Sequence, residues 1–225
     1  MQRDTAADAK KLVDTVESGG IAVFPVDVGY AIVGNRQDAI ERIFAAKARS
    51  FDKPCGMFSS WQMFLDIGLV SQRERDIVDT VIHRYALPLS VVVPYRVDHP
   101  FFGRLTARTR ELSSRAGTID MLLNAGTLHD AVATLSYARG VPVLGSSANQ
   151  SLSGSKYRLT DVEEPVRNAA DLVIDYGQTK YSHPNGMGSS IIELPSCRPL
   201  RKGIKFDEIC DILARHFSVD PRKLG

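Results

Sequence analysis

Cysteine is scarce: the three in this 225-residue chain, Cys55, Cys197 and Cys210, lie far apart and form no C-x-x-C pair. That spacing argues against a disulfide framework and against a zinc site, and is expected to leave reduced, packed thiols. The five histidines are scattered, with none at metal-ligand spacing, so no protein-held metal is expected. Long hydrophobic runs are missing too. No stretch approaches the ~18 to 20 apolar residues of a membrane span, and the opening "MQRDTAADAKKLVDTVESGG" has no apolar signal core, so the expected setting is cytoplasmic, without a membrane partner. Nor is there an excess of one charge. A net charge of +2 by itself points to no nucleic-acid partner, because phosphate binding depends on local clusters of Lys and Arg.

What is present is an alternation of short apolar runs with helical periodicity. Thr5 and Asp8 resemble a capping box, Leu12, Val13 and Val16 follow at helical spacing, and Gly19-Gly20 stops the helix. "IAVFP" from Ile21 has strand length, and Ile40, Ile43, Phe44 and Lys47 recur every three or four residues. Further strands are expected at 55–58, 89–93, 141–145, 171–174, 190–194 and 199–204, and further helices at 71–81, 128–139, 160–169 and 207–216. This order predicts an α/β fold with a single twisted open sheet flanked by helices. Hairpin-like neighbours near the C-terminus make the sheet mixed, parallel and antiparallel. One domain over 1–204 and a helical tail over 205–225 are expected.

Three cations crowd "FAAKARSFDKPCGMF": Lys47, Arg49 and Lys53. Cations at a helix C-terminus commonly just complement its dipole. On a short loop between helix and strand they can also converge on a phosphate chain, Lys as a point charge and Arg as a planar fork. In "VPVLGSSANQSLSG" a strand runs into a turn of small side chains. Such a turn either caps the next segment or lets amides and hydroxyls approach an anion. "GMGSSIIEL" and "RPLRKG" repeat the pattern further on. The arginines of "GRLTARTRELSSR" fit a solvated charged loop or a track for RNA phosphates. Trp61, Met63 and Phe64 are expected in the core, and His183 in a loop.

Taken in order, "VFPVDVGYAIVG", "KARSFDKP", "LPLSVVVP", "PVLGSSANQSLSG", "GSSIIEL" and "RPLRKG" resemble the YrdC-type threonylcarbamoyl-adenylate synthase family. Its motifs look like P-T-x-T-x-Y-G-L, K-x-R-x-x-x-K-P, P-G-P-x-T, S-A-N-x-S-G, S-T-I and R-x-G. The resemblance spans about Ala7 to Ile204. It implies a nucleotidyltransferase that condenses threonine, bicarbonate and ATP into threonylcarbamoyl-adenylate and pyrophosphate, for modification of a tRNA adenosine. It places Lys47, Arg49, Ser147 and Asn149 around the nucleotide, with Lys47 and Arg49 as the catalytic pair. Lys53, Ser90, Ser189, Ser190 and Arg201 match further phosphate-side positions. ATP with Mg2+ held by the substrate is the implied cofactor, and a basic face for tRNA or double-stranded RNA is implied as well.

The acceptor side departs from the pattern. P-T-x-T is Pro25-Val26-Asp27-Val28, so both hydroxyls are gone while Tyr30 remains. In "TIDMLLNAG" Leu122 stands where the arginine of the family's R-x-P segment falls, and the glycine of P-G-P-x-T is Leu87. Val26, Val28, Tyr30 and Leu122 therefore define an altered acceptor pocket. Three readings stay open: a threonylcarbamoyl-adenylate synthase, a related adenylating or carbamoyl-handling enzyme with another amino-acid or carbamate substrate, and a non-catalytic nucleotide- or RNA-binding module.

Overall fold

A computed structural model describes residues 4–224, so Met1–Arg3 of the expected domain and Gly225 of the expected tail lie outside the described residues. Asp4, rather than a Thr5/Asp8 box, starts α1 (Thr5–Glu17): its carboxylate accepts from the Ala7 amide at 3.0 Å, and Leu12, Val13 and Val16 are buried. β1 (Ala22–Val26) and β2 (Gly29–Gly34) then form an antiparallel hairpin buried on both faces. β2 is not among the expected strands. Burial on both faces removes the alternation by which a half-exposed strand is read. α2 (Gln37–Ala46) presents Ala39, Ile40, Ile43 and Phe44 to the core.

The chain continues through β3 (Gly56–Phe58), α3 (Trp61–Ile67) and α4 (Gln72–Asp79), the last drawn out by a π-helical turn over Thr80–Arg84. Met63 and Phe64 are fully buried, as expected, with Trp61 packed against them. β4 (Leu89–Pro94) and α5 (Ala107–Ser113) come next. α5 occupies the stretch expected as a charged loop, because the Thr106 hydroxyl caps it at the Thr109 amide, 3.1 Å away, and Thr109, Leu112 and Ser113 turn inward. Its surroundings also absorb the arginines. Arg104 pairs with Glu17, Arg108 with Glu111, and Arg110 and Arg115 donate to backbone carbonyls.

β5 (Thr118–Leu123), α6 (Thr127–Arg139), β6 (Leu144–Ser147), α7 (Glu164–Asn168), β7 (Leu172–Val173), β8 (Ile191–Glu193), β9 (Arg198–Arg201) and α8 (Phe206–Phe217) complete the fold. Among the described residues nine strands join one mixed sheet in the order β7-β1-β2-β6-β3-β5-β4-β8-β9. β1/β7, β3/β5 and β4/β8 are parallel and the other pairs antiparallel. One face carries the main core, with Ile32, Met57, Val91, Met121, Leu144 and Ile192, onto which α8 also packs Ile209, Ile212 and Leu213. On the other face a smaller cluster joins α1 and α6 to β1 and β2. Beyond that cluster the same face is only half-buried: along β5, Thr118, Asp120 and Leu122 alternate with fully buried Ile119, Met121 and Leu123. This incompletely covered half of the sheet carries the candidate site. Among the described residues no helix is long and apolar enough to cross a membrane.

Candidate functional site

Two neighbouring clusters build the site, one from the ends of α2 and β6, the other from β4, β5, β8 and β9. In the first, α2 ends at Lys47, whose side chain folds inward until only 1% of the residue is exposed. Its ammonium donates to the carbonyl oxygens of Ser147 and Asn149, and the Ser151 amide returns a bond to the Lys47 carbonyl at 2.8 Å. Burial pulls the Lys47 pKa down to about 7, with the Arg49 charge adding to the effect. Lys47 thus braces the loop that follows β6. The Asn149 amide nitrogen donates to the Gln150 carbonyl at 2.6 Å, and its side-chain oxygen is buried without a partner, as is the Ser146 hydroxyl. Glu163 holds the far side of the loop, accepting from Ser153, Lys156 and the Gln150 amide.

Arg49 leads from this cluster to the second. Its guanidinium donates to the carbonyls of Lys53 and Pro54, both at 2.9 Å, and lies over the Phe44 ring. Lys53 itself points to solvent. In the second cluster the Ser90 and Ser189 hydroxyls are 3.0 Å apart and buried. Arg201 is open to solvent as a residue, yet its guanidinium is held by the Ser189 carbonyl at 2.8 Å and hydroxyl at 2.7 Å. Desolvation by the surrounding protein lowers the pKa of both arginines. Two guanidiniums and two buried serine hydroxyls beside a half-covered sheet face form an arrangement suited to anionic oxygens.

Asp120, absent from the sequence-based set, sits at the centre of the second cluster. It projects from β5 on the face of Leu122, opposite Val92 of β4, and its Oδ2 would lie 3.2 Å from a Cβ at Gly56. Burial pushes its carboxyl up to about 6, against the pull of Arg201, the Ser90 hydroxyl and Arg49. The only signal in the sequence is one acid in the alternating run "TIDMLL", which reads equally well as a solvent-facing position.

The remaining expected residues fall elsewhere. Ser190 donates to the Ile204 carbonyl at 2.9 Å and accepts from the Gly203 amide, a buried brace between β8 and the segment after β9. Tyr30 turns to the main-core face, where its hydroxyl bonds the Asp175 carboxylate at 2.5 Å and the Gly177 carbonyl at 2.8 Å. Val26 and Val28 are buried in the smaller cluster, against which Leu122 packs, so that part of the wall is apolar. Between them Asp27 is half-buried and pairs with Lys180 at 3.6 Å, and burial raises its pKa. Among the described residues no group of three or more His, Cys, Asp or Glu side chains could hold a metal ion.

Comparison with known proteins agrees with this architecture. Sua5 of P. abyssi, solved with L-threonine, superimposes with a TM-score of 0.73 at 22% identity, over 94% of this chain and 59% of that one. The chain therefore spans about three fifths of the length of that relative. A hypothetical protein of Streptococcus mutans matches with a TM-score of 0.72 at 20% identity, over 93% of this chain and 92% of its own. YciO of E. coli matches with a TM-score of 0.64 at 19% identity, over 90% and 92%. These likenesses concern the fold. The family profile described as telomere recombination, Sua5/YciO/YrdC, matches residues 14–203, and the chain belongs to that family.

Proposed function

We propose that this chain binds ATP across the uncovered half of the sheet and transfers its adenylyl group to a small carboxylate or carbamate, as a threonylcarbamoyl-adenylate synthase does. The observation that carries the reading is the gathering of Arg49, Ser90, Ser189 and Arg201 about Asp120. In the proposed reaction an oxygen of the carbamate, formed from an amine and bicarbonate with loss of water, attacks the α-phosphorus, and the bond to the departing pyrophosphate breaks. Arg49 and Arg201 stabilise charge on the phosphoryl oxygens and on the leaving group. The loop braced by Lys47 presents the unpartnered Asn149 oxygen and its own amides to the nucleoside. A magnesium ion would be held mainly by the phosphates of ATP and would supply charge neutralisation there, leaving Arg49, Arg201 and the serine hydroxyls to position the phosphoryl oxygens.

The acceptor is the finer question. The fold neighbour from P. abyssi was solved with L-threonine, and threonine is the acceptor that the family resemblance favours. Val26, Val28 and Leu122 instead favour a less polar acceptor, because a carboxylate or hydroxyl placed against them finds no partner. tRNA as the downstream recipient, a double-stranded-RNA-binding face and a cytoplasmic setting belong to the same proposal. Product analysis after incubation with ATP, bicarbonate and a panel of amino acids and amines tests it. An acyl- or carbamoyl-adenylate with stoichiometric pyrophosphate supports the reading, and ATP recovered intact with every acceptor contradicts it.

A further inference from the structure

The structure holds a carboxylate where the proposed function calls for cations. Asp120 stands on β5 among the groups expected to meet phosphate oxygens: Arg49 from the loop after α2, Arg201 from β9 and the Ser90 hydroxyl from β4. β3 contributes Gly56, which has no side chain to cover it. Its strand neighbours on that face, Thr118 and Leu122, bring no charge, and Glu193 on β8 is committed to Arg198 at 3.3 Å. The Asp120 Oδ1 atom is buried and has no hydrogen-bond partner. An unpaired buried oxygen costs free energy unless a ligand or a proton satisfies it. An anion drawn in by the two arginines meets repulsion from an ionised Asp120 and a hydrogen bond from a protonated one.

We propose that Asp120 belongs to the anion site in its acid form, donating a hydrogen bond to a phosphate oxygen of the ligand, so that binding takes up one proton from solvent. This inference rests on the reading of this sheet face as an ATP site and adds to it a specificity-determining residue and a sign of pH dependence. The burial that already holds the carboxyl at about 6 in the free protein works in the same direction, and a neighbouring phosphate raises it further. Linkage then requires affinity to fall as pH rises above that value. The γ-phosphate of ATP gains charge over the same range and tightens its hold on the arginines, an opposite trend that a variant without the carboxyl reports on its own.

Calorimetric titration of ATP, without magnesium, into the full chain and into Asp120→Asn from pH 6 to pH 8 tests this. Asparagine keeps a donor and removes the titration, and equal melting temperatures would show that the variant is folded. The expected result is at least a tenfold loss of wild-type affinity across the range, with a flat or rising profile for the variant and tighter binding by the variant at pH 8. In buffers of different ionisation heat at pH 8 the wild type should take up close to one proton more than the variant. Parallel profiles for the two proteins, with ATP bound by both, overturn the role of Asp120 and leave the ATP site standing. Absence of ATP binding by either protein at every pH overturns both.

Discussion

The ammonium of Lys47 donates to the carbonyl oxygen of Asn149 at 2.5 Å, tying the end of α2 to a loop 102 residues further along the chain. A helix-end cation in water would be expendable to the fold, and Lys47 is instead an internal brace. Lys47→Met is expected to destabilise the protein by about 2 to 4 kcal/mol, because a buried and a part-buried carbonyl lose their donor at once. Urea unfolding measures this, and a loss below about 0.5 kcal/mol, the size of an ordinary surface substitution, would show that the brace is dispensable.

The same burial gives stability a pH dependence of definite sign. The Lys47 ammonium titrates near 7 when folded, against ~10.4 when unfolded. Between those values the unfolded chain binds more protons, so stability rises with pH. From about pH 8 the thiols of Cys55 and Cys210, both pushed up to about 11 by burial, and that of Cys197, also raised, act in the opposite sense: the folded protein keeps protons that the unfolded chain releases. The clean window is about pH 7 to 8. There the wild-type stability curve should climb more steeply than that of Lys47→Met. Parallel curves would mean that Lys47 does not titrate in this range.

Two facing glycines on β6 and β3 should respond differently to alanine. A Cβ at Gly145 would lie 2.0 Å from the Ile32 carbonyl oxygen and 2.9 Å from the Val33 Cα, both backbone atoms of the adjoining strand, so Gly145→Ala should cost about 3 kcal/mol or more. A Cβ at Gly56 meets the end of the Asp120 side chain at 3.2 Å. Gly56→Ala should therefore leave the melting temperature nearly unchanged while weakening ATP binding through the crowded carboxylate. Thermal melts together with ATP titrations separate the two effects, and equal destabilisation by both substitutions would contradict the packing described for β3.

The difference between what was legible in the sequence and what was not follows range of interaction. Short apolar runs such as Leu89–Val93 announce themselves locally, and the order of the Gly/Ser turns and cation clusters carries the family and its mixed sheet. β5 reads poorly because "TIDMLL" alternates only weakly, and the purpose of Asp120 depends on Arg49 and Arg201, which lie far from it in sequence. Lys47 and Arg49 are neighbours in one motif, yet one turns inward to the β6 loop and the other towards Asp120. Nothing local distinguishes them. Tyr30 keeps the family pattern in sequence while its hydroxyl is spent on Asp175 and Gly177, a partner choice set by the loop after β7.

The acceptor wall offers a gain-of-function prediction. A missing charged hydrogen bond typically costs ~1.5 to 3 kcal/mol, roughly ten- to a hundredfold in affinity. Threonine should therefore bind the wild type weakly in the presence of ATP and bicarbonate, and Val26→Thr/Leu122→Arg should bind it at least tenfold more tightly. Calorimetric titration of threonine into both proteins checks this, and equal, tight binding would make the substitutions neutral.

The most direct measurement is titration of ATP into the wild type and into Arg201→Met. Arg201 lies on an edge strand and its guanidinium bonds Ser189, so its removal should leave the fold intact. If the uncovered half of the sheet holds the phosphates of ATP, the wild type binds it saturably, and Arg201→Met binds at least tenfold more weakly at an unchanged melting temperature. Equal affinity in the two proteins would place the nucleotide elsewhere and contradict the site.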